Sequence, residues 1–222
     1  MPNYALSIND DLIENPSPRC ACMVVLDTSG SMDGARIHQL NEGLKRFVAA
    51  LQADDVASCS IDVAVITAGG VVTEQLPFHT AMNIDQLPDF SATGGTPIGQ
   101  AVSLALQRLD ERKKAYQQTG VAYYQPWLVL ISDGSPTDSW QQAAAQSRQL
   151  SEQRKLVVLP IGVDGADLGI LGQFSAKPAK QLAGLKFNEF FEWLSASMSR
   201  VSASASTSST VQLPKTDSWD TI

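Results

Sequence analysis

Three stretches of this sequence are apolar without interruption: Cys20 to Leu26 (CACMVVL), Trp127 to Ser132 (WLVLIS) and Leu156 to Val163 (LVVLPIGV). A strand with one wet face alternates apolar and polar residues, whereas a strand covered on both faces does not. Short continuous runs of this kind predict the central strands of a parallel sheet with helices packed on each side. The segments between them carry the helices. Ile37, Leu40, Leu44, Phe47, Val48 and Leu51 recur at helical spacing. Pro97 to about Tyr116 is helical by pattern, with Thr96 expected as its N-cap and Pro97 as its first helical residue. Asp138 to Arg154 is rich in Ala and Gln, and Phe190, Phe191, Leu194, Met198 and Val201 mark a last helix. Ser58 to Thr67 and Val71 to Phe78 are β-rich runs joined by Gly69-Gly70, a hairpin signal that puts one antiparallel strand at an edge.

At 222 residues the chain suits one α/β domain with short extensions, or at most two small domains. Residues up to Arg19 are polar, acidic and broken by Pro16 and Pro18, and are expected as an arm (1–19) outside the core. From Ser202 a Ser/Thr/Ala run is expected to be a flexible tail (202–222). A net charge of -7 argues against nucleic acid as a partner, since phosphate binding needs concentrated Lys and Arg. Three cysteines do not make the even framework of a stapled secreted domain. No signal peptide and no bilayer-length apolar run is visible, so a cytoplasmic location without membrane contact is expected.

A parallel sheet binds its ligands at the carboxyl ends of its strands, near the point where the strand order reverses. Three pieces of sequence converge there. Asp27-Thr28-Ser29-Gly30-Ser31 follows the first strand, Thr93-Gly94-Gly95-Thr96-Pro97 precedes a helix, and Ser132-Asp133-Gly134 closes the WLVLIS strand. Together they offer two carboxylates (Asp27, Asp133) and three hydroxyls (Ser29, Ser31, Thr96), with no imidazole or thiol nearby in sequence. An all-oxygen set suits a hard cation, Mg²⁺, Mn²⁺ or Ca²⁺, rather than Zn²⁺ or copper. Hydroxyl ligands leave such a cation much of its charge, so the site is expected to attract a carboxylate from another molecule. Asp27 and Ser29 are expected to line a surface cleft outside the apolar core. Simpler roles exist for each residue: Ser29, Ser31 and Thr96 as helix caps, Gly94, Gly95 and Asp133-Gly134 as turn residues.

The motif Asp27-x-Ser29-x-Ser31, the later Thr96 and the strand-terminal Asp133-Gly134 resemble the metal-ion-dependent adhesion site of von Willebrand factor A (VWA) domains. The similarity covers about Cys20 to Val201. It implies a Rossmann-like, doubly wound, mostly parallel α/β sheet of about six strands with the hairpin strand at one edge. It also implies that Ser29, Ser31 and, in the open form, Thr96 touch the metal, while Asp27 and Asp133 act largely through water. The phrases PRCACMVVLDTSGSM, TGGTPIG and YYQPWLVLISDGSPTDSW look similar to the bacterial TerY-like branch, whose members are associated with tellurite-resistance and stress gene clusters and, in some, with a kinase and a phosphatase.

The expected role is a non-enzymatic module that docks an acidic side chain of a partner protein through Mg²⁺. A metal-dependent phosphoesterase using the same pocket, or an adaptor subunit of an ATP-driven complex, are the alternatives. An aspartyl-nucleophile phosphatase wants an acid two residues after the nucleophile, where this chain has Ser29. SGSMDG lacks the G-x-x-x-x-G-K-[ST] pattern of a phosphate loop, and His38 and His79 sit in no triad context. Cys20 and Cys22 point to one strand face and Cys59 is expected to begin the neighbouring strand, all three as packing thiols. Trp127, Trp140 and Trp193 are expected to pack rather than to form a stacking surface.

Overall fold

The computed structural model describes residues 12, 15, 17–133 and 135–220. The first apolar run forms β1 (Cys20–Asp27), and the others form β4 (Trp127–Ser132) and β5 (Val157–Gly162). The hairpin runs form β2 (Ile61–Gly69) and β3 (Val71–Thr80), and a two-residue strand, β6 (Lys180–Gln181), completes the sheet. The strand order is β3-β2-β1-β4-β5-β6. Every neighbouring pair is parallel except β2 with β3, so the expected antiparallel edge strand is present.

Side chains of a strand alternate between faces, and here both faces are covered. Cys20, Cys22, Val24 and Leu26 of β1 join one core with α1 (Ala35–Gln52) and α6 (Phe187–Ser202). Ala21, Met23 and Val25 join the other with α3 (Ile98–Thr119) and α4 (Gln141–Glu152). The continuous apolar runs follow directly from that double burial, since no position of β1, β2 or β4 is left outside. Two short helices, α2 (Asp55–Ser60) and α5 (Leu168–Leu171), lie in the connections.

One expected strand start is wrong. Residues 58–60 belong to α2, because the Asp54 carboxylate accepts from Val56 N and Ala57 N and so caps a helical turn. Cys59 therefore sits half-buried on α2 and not at the head of β2, while Cys20 and Cys22 are fully buried in β1. The tryptophans pack as expected: Trp140 against Phe174, Trp193 against Phe190, and Trp127 buried at the start of β4.

The amino end of the sheet carries a buried ionic knot. Asp62 is fully buried and accepts from Arg19 Nη1 (3.1 Å), Thr80 Oγ1 (3.0 Å), Arg112 Nη2 (2.6 Å) and Tyr116 OH (2.5 Å). A carboxylate taken from water needs such partners, and each of them becomes costly to remove. Arg19, expected in an external arm, is thus part of the interior; of the rest of that arm, residues 1–11, 13, 14 and 16 lie outside the described residues. The far end of the chain is likewise tied down. Beyond α6 the backbone turns back, and Trp219 is fully buried, edge-on to Phe190 (centroids 5.0 Å) and Trp193 (5.3 Å). A hydrogen bond from Ala183 N to Trp219 O and a Lys180–Asp220 ion pair fasten this segment beside β6. The run from Ser202, expected as a flexible tail, thus carries one large apolar residue that packs on the core.

Candidate functional site

β1 and β4 are sequence-distant neighbours at the centre of the sheet, and the connections leaving their carboxyl ends run to opposite faces. The strand order therefore reverses between them, which leaves a crevice at that edge. Asp27 ends β1 and Asp133 follows β4 directly.

The depth of the residues differs from the expected cleft. Asp27 and Ser29 are buried, Ser31 is exposed, and Asp133 and Thr96 are 5% exposed. Asp27 is the floor: its Oδ1 accepts from Ser29 N (2.9 Å) and its Oδ2 from the Ser132 hydroxyl (2.6 Å). Burial pushes the Asp27 carboxyl above its ordinary range, hydrogen bonds from Ser132 and Ser29 pull it back, and the neighbouring charge of Asp133 adds to the rise. Above that floor the Ser29 and Ser31 hydroxyls are 3.0 Å apart, and Ser31 Oγ donates to Asp133 Oδ1 at 2.7 Å. One hydrogen-bonded chain thus runs through four of the five expected residues.

Thr96 approaches on the adjoining loop. Gly30 N donates to Gly94 O (3.0 Å), Thr93 N to Thr28 O (2.8 Å) and Gly70 N to Gly95 O (2.8 Å), so three loops are stitched together by backbone alone. Gly94 has φ +67°, and a Cβ there would stand 2.5 Å from Gly70 Cα, so only glycine permits this approach. The capping role expected for Thr96 is not what is found. α3 begins one residue later than expected, at Ile98, with Pro97 before it, and the Asp138 carboxylate caps the helix by accepting from Gly99 N (3.0 Å) and Gln100 N (2.8 Å). Thr137 holds Thr96 on both sides, its hydroxyl accepting from Thr96 N (2.9 Å) and its N–H donating to Thr96 O (3.0 Å). Capping does not account for the serines either. Ser29 precedes a single turn, Gly30–Met32, without a side-chain cap bond, and α1 starts only after Gly34.

Sequence reasoning missed Ser132, Thr137, Asp138 and Arg36. Ser132 carried a signal, as a polar residue beside Asp133 at the end of an apolar strand. Arg36 carried none: its guanidinium crosses from α1 to Asp133 Oδ2 (2.7 Å) and Ser31 O (3.1 Å), a contact that only the fold creates.

No group of three or more His, Cys, Asp and Glu suited to a metal occurs among the described residues. Any cation here must rest on hydroxyls, two carboxylates and water, which is the chemistry of a hard ion. Ser29, Ser31 and Asp133 already share one hydrogen-bonded point, with Ser31 open to solvent, and this arrangement fits such an ion.

A model of the von Willebrand factor type A domain matches residues 22–194. Among curated proteins, inter-alpha-trypsin inhibitor heavy chain H4 of Sus scrofa is 26% identical over 148 residues, which is 63% of this chain and 15% of that protein, so the chain spans only a small part of this relative. The pilus adhesin SpaC of Lactobacillus rhamnosus GG in its open conformation has a similar structure (TM-score 0.67, 13% identity, 83% of this chain and 30% of that one). So does proximal thread matrix protein 1 of the mussel byssus with a zinc-occupied adhesion-site motif (TM-score 0.53, 14% identity, 82% and 48%). At these identities the two structures speak for the fold alone.

Proposed function

The chain belongs to the von Willebrand factor type A domain family, and from that premise we propose that it is a docking module rather than an enzyme, binding an acidic side chain of a partner protein through Mg²⁺ held by Asp27, Ser29, Ser31, Thr96 and Asp133. The observation that carries this reading is the Ser29–Ser31–Asp133 chain of oxygens at the crevice between β1 and β4, backed by a buried second carboxylate. A hard cation bound there supplies a concentrated positive charge that a carboxylate from outside can neutralise. The protein's residues do the rest. Asp27 fixes Ser29 by accepting from its N–H, and Ser132 fixes Asp27 in turn. Asp133 orients the Ser31 hydroxyl, and Thr137 holds the backbone of Thr96 on the facing loop. The mussel protein with zinc in its motif supports metal occupancy of such a site in this fold. Preference for Mg²⁺ over Zn²⁺ rests on the absence of imidazole and thiol from the donor set. The TerY-like phrases support placing the module in a bacterial stress-response assembly, in the cytoplasm. No helix among the described residues is long and apolar enough to cross a membrane.

The test is a pull-down from native-host lysate in Mg²⁺ and in EDTA, with wild type, Thr96→Ala and Asp133→Ala. Partners should be retained by wild type only in Mg²⁺. Thr96→Ala should weaken the partner more than the metal, because water can replace one neutral donor while the loop facing the partner is disturbed. Asp133→Ala removes charge and should weaken the metal itself. Removing one partner of a desolvated, charge-assisted contact costs about 2–5 kcal/mol, enough to make retention metal-dependent. Retention of the same partners in EDTA would contradict the proposal.

A further inference from the structure

The crevice already contains a cation of the chain's own. Arg36 is the second residue of α1, and its Nη1 donates to Asp133 Oδ2 (2.7 Å) and to Ser31 O (3.1 Å). Asp133 Oδ1 is meanwhile held by the Ser31 hydroxyl, so both oxygens of this carboxylate are engaged from within the protein. α1 has no packing need for the contact, since it docks on the sheet through Ile37, Leu40, Leu44 and Phe47. Its first turn also disfavours a cation, because the helix dipole places partial positive charge there. The arginine thus stands against its local electrostatic preference, paired with an aspartate whose side chain is wholly buried while its own is 30% exposed.

We propose that Arg36 sets the affinity of the crevice for a divalent cation by competing with it for Asp133. The inference rests on the reading above that the crevice takes a cation. A guanidinium and a metal ion seek the same lone pairs and the same negative charge, and at this range in a buried setting salt screens their mutual repulsion poorly. Loading the site therefore means weakening the Arg36–Asp133 contact, or binding against a nearby like charge. Either way the wild-type site is weaker than its two carboxylates alone would make it. Release of Arg36 also frees the Ser31 carbonyl, so occupancy of the site is linked to the position of a partly exposed side chain at its rim.

The experiment titrates Mg²⁺ calorimetrically into the full chain as wild type, Arg36→Gln, Arg36→Met and Arg36→Lys. Melting curves in EDTA follow for the same proteins and for Asp133→Asn, alone and combined with Arg36→Gln. Both neutral variants should bind Mg²⁺ about tenfold tighter than wild type, the scale set by one lost charge-assisted contact. Arg36→Lys, which keeps the charge, should stay within about threefold of wild type. In EDTA, Arg36→Gln should melt below wild type, and that loss should vanish in the Asp133→Asn background, where the guanidinium has no carboxylate to pair with. If wild type binds Mg²⁺ and the neutral variants bind it equally or more weakly, Arg36 is no competitor and the inference falls while the cation reading stands. If neither wild type nor the neutral variants bind Mg²⁺, the cation reading itself is wrong and takes this inference with it.

Discussion

Asp27 ends β1 and Ser31 stands four positions on, yet they lie at opposite depths, the carboxylate fully buried and the serine exposed. Sequence alone could find both, because oxygen side chains that close a wholly apolar strand have little to do in a core. It could not rank their depth: Asp27 is still within the covered strand β1, where it also accepts from Ser132 of β4, whereas Ser31 lies in the turn beyond. Nor could it find Arg36, whose partner lies 97 positions away. The cysteines show the same limit from the apolar side. Cys20 and Cys22 were legible as packing residues by strand alternation, whereas Cys59 was misplaced because the Asp54 cap outweighed the β-rich run that follows. Burial pushes the Cys22 thiol from 9.0 up to about 12, and raises Cys20 as well. A thiol whose pKa is raised by folding contributes stability that is complete below the unfolded value and is lost as pH climbs towards the folded one. The fold should therefore weaken from pH 9 upward, and less steeply in Cys22→Ala, as read from urea melts at several pH values. At pH 8 a thiol reagent should label Cys59 first and reach Cys20 and Cys22 only on unfolding; immediate labelling of all three would contradict their burial.

Helices and strands were legible wherever periodicity was strong, and their ends were not. α4 was expected from Asp138 but begins at Gln141, because Asp138 is spent on capping α3 instead. A cap supplied by a residue distant in sequence leaves no local pattern to read. It has a physical consequence: one short loop after β4 holds Asp133, the clamp on Thr96 and the cap of α3. Asp138→Ala should cost about 1 kcal/mol in urea melts, the usual value of a lost helix cap. Because the same loop holds Thr96, Mg²⁺ binding should weaken as well. Asp138→Asn, which keeps one of the two acceptor oxygens, should recover part of the stability. A stability loss in Asp138→Ala with Mg²⁺ affinity unchanged would show that the loop does not couple the cap to the site.

At the scale of the whole molecule, the doubly covered sheet was readable from three apolar runs, and its strand order then determined where a site could lie. The tethered ends were not readable, since Arg19 and Trp219 are single residues in otherwise polar segments. Trp219 fills a gap between Phe190, Trp193 and β6 at one edge of the sheet. Trp219→Ala should destabilise the fold by about 3–5 kcal/mol, the range for deleting a buried tryptophan, and should leave Mg²⁺ affinity unchanged. A melting temperature equal to wild type would mean that the segment is not docked in solution. The cation site lies at the other pole, where we place it between β1 and β4. Its most direct test is paramagnetic: substoichiometric Mn²⁺ is added to isotope-labelled protein and the amide signals that broaden are mapped. Broadening is expected at residues 27–32, 94–98 and 133, reversed by excess Mg²⁺ and abolished in Asp133→Ala. Uniform weak broadening, or broadening centred on residues outside these three loops, would contradict that placement.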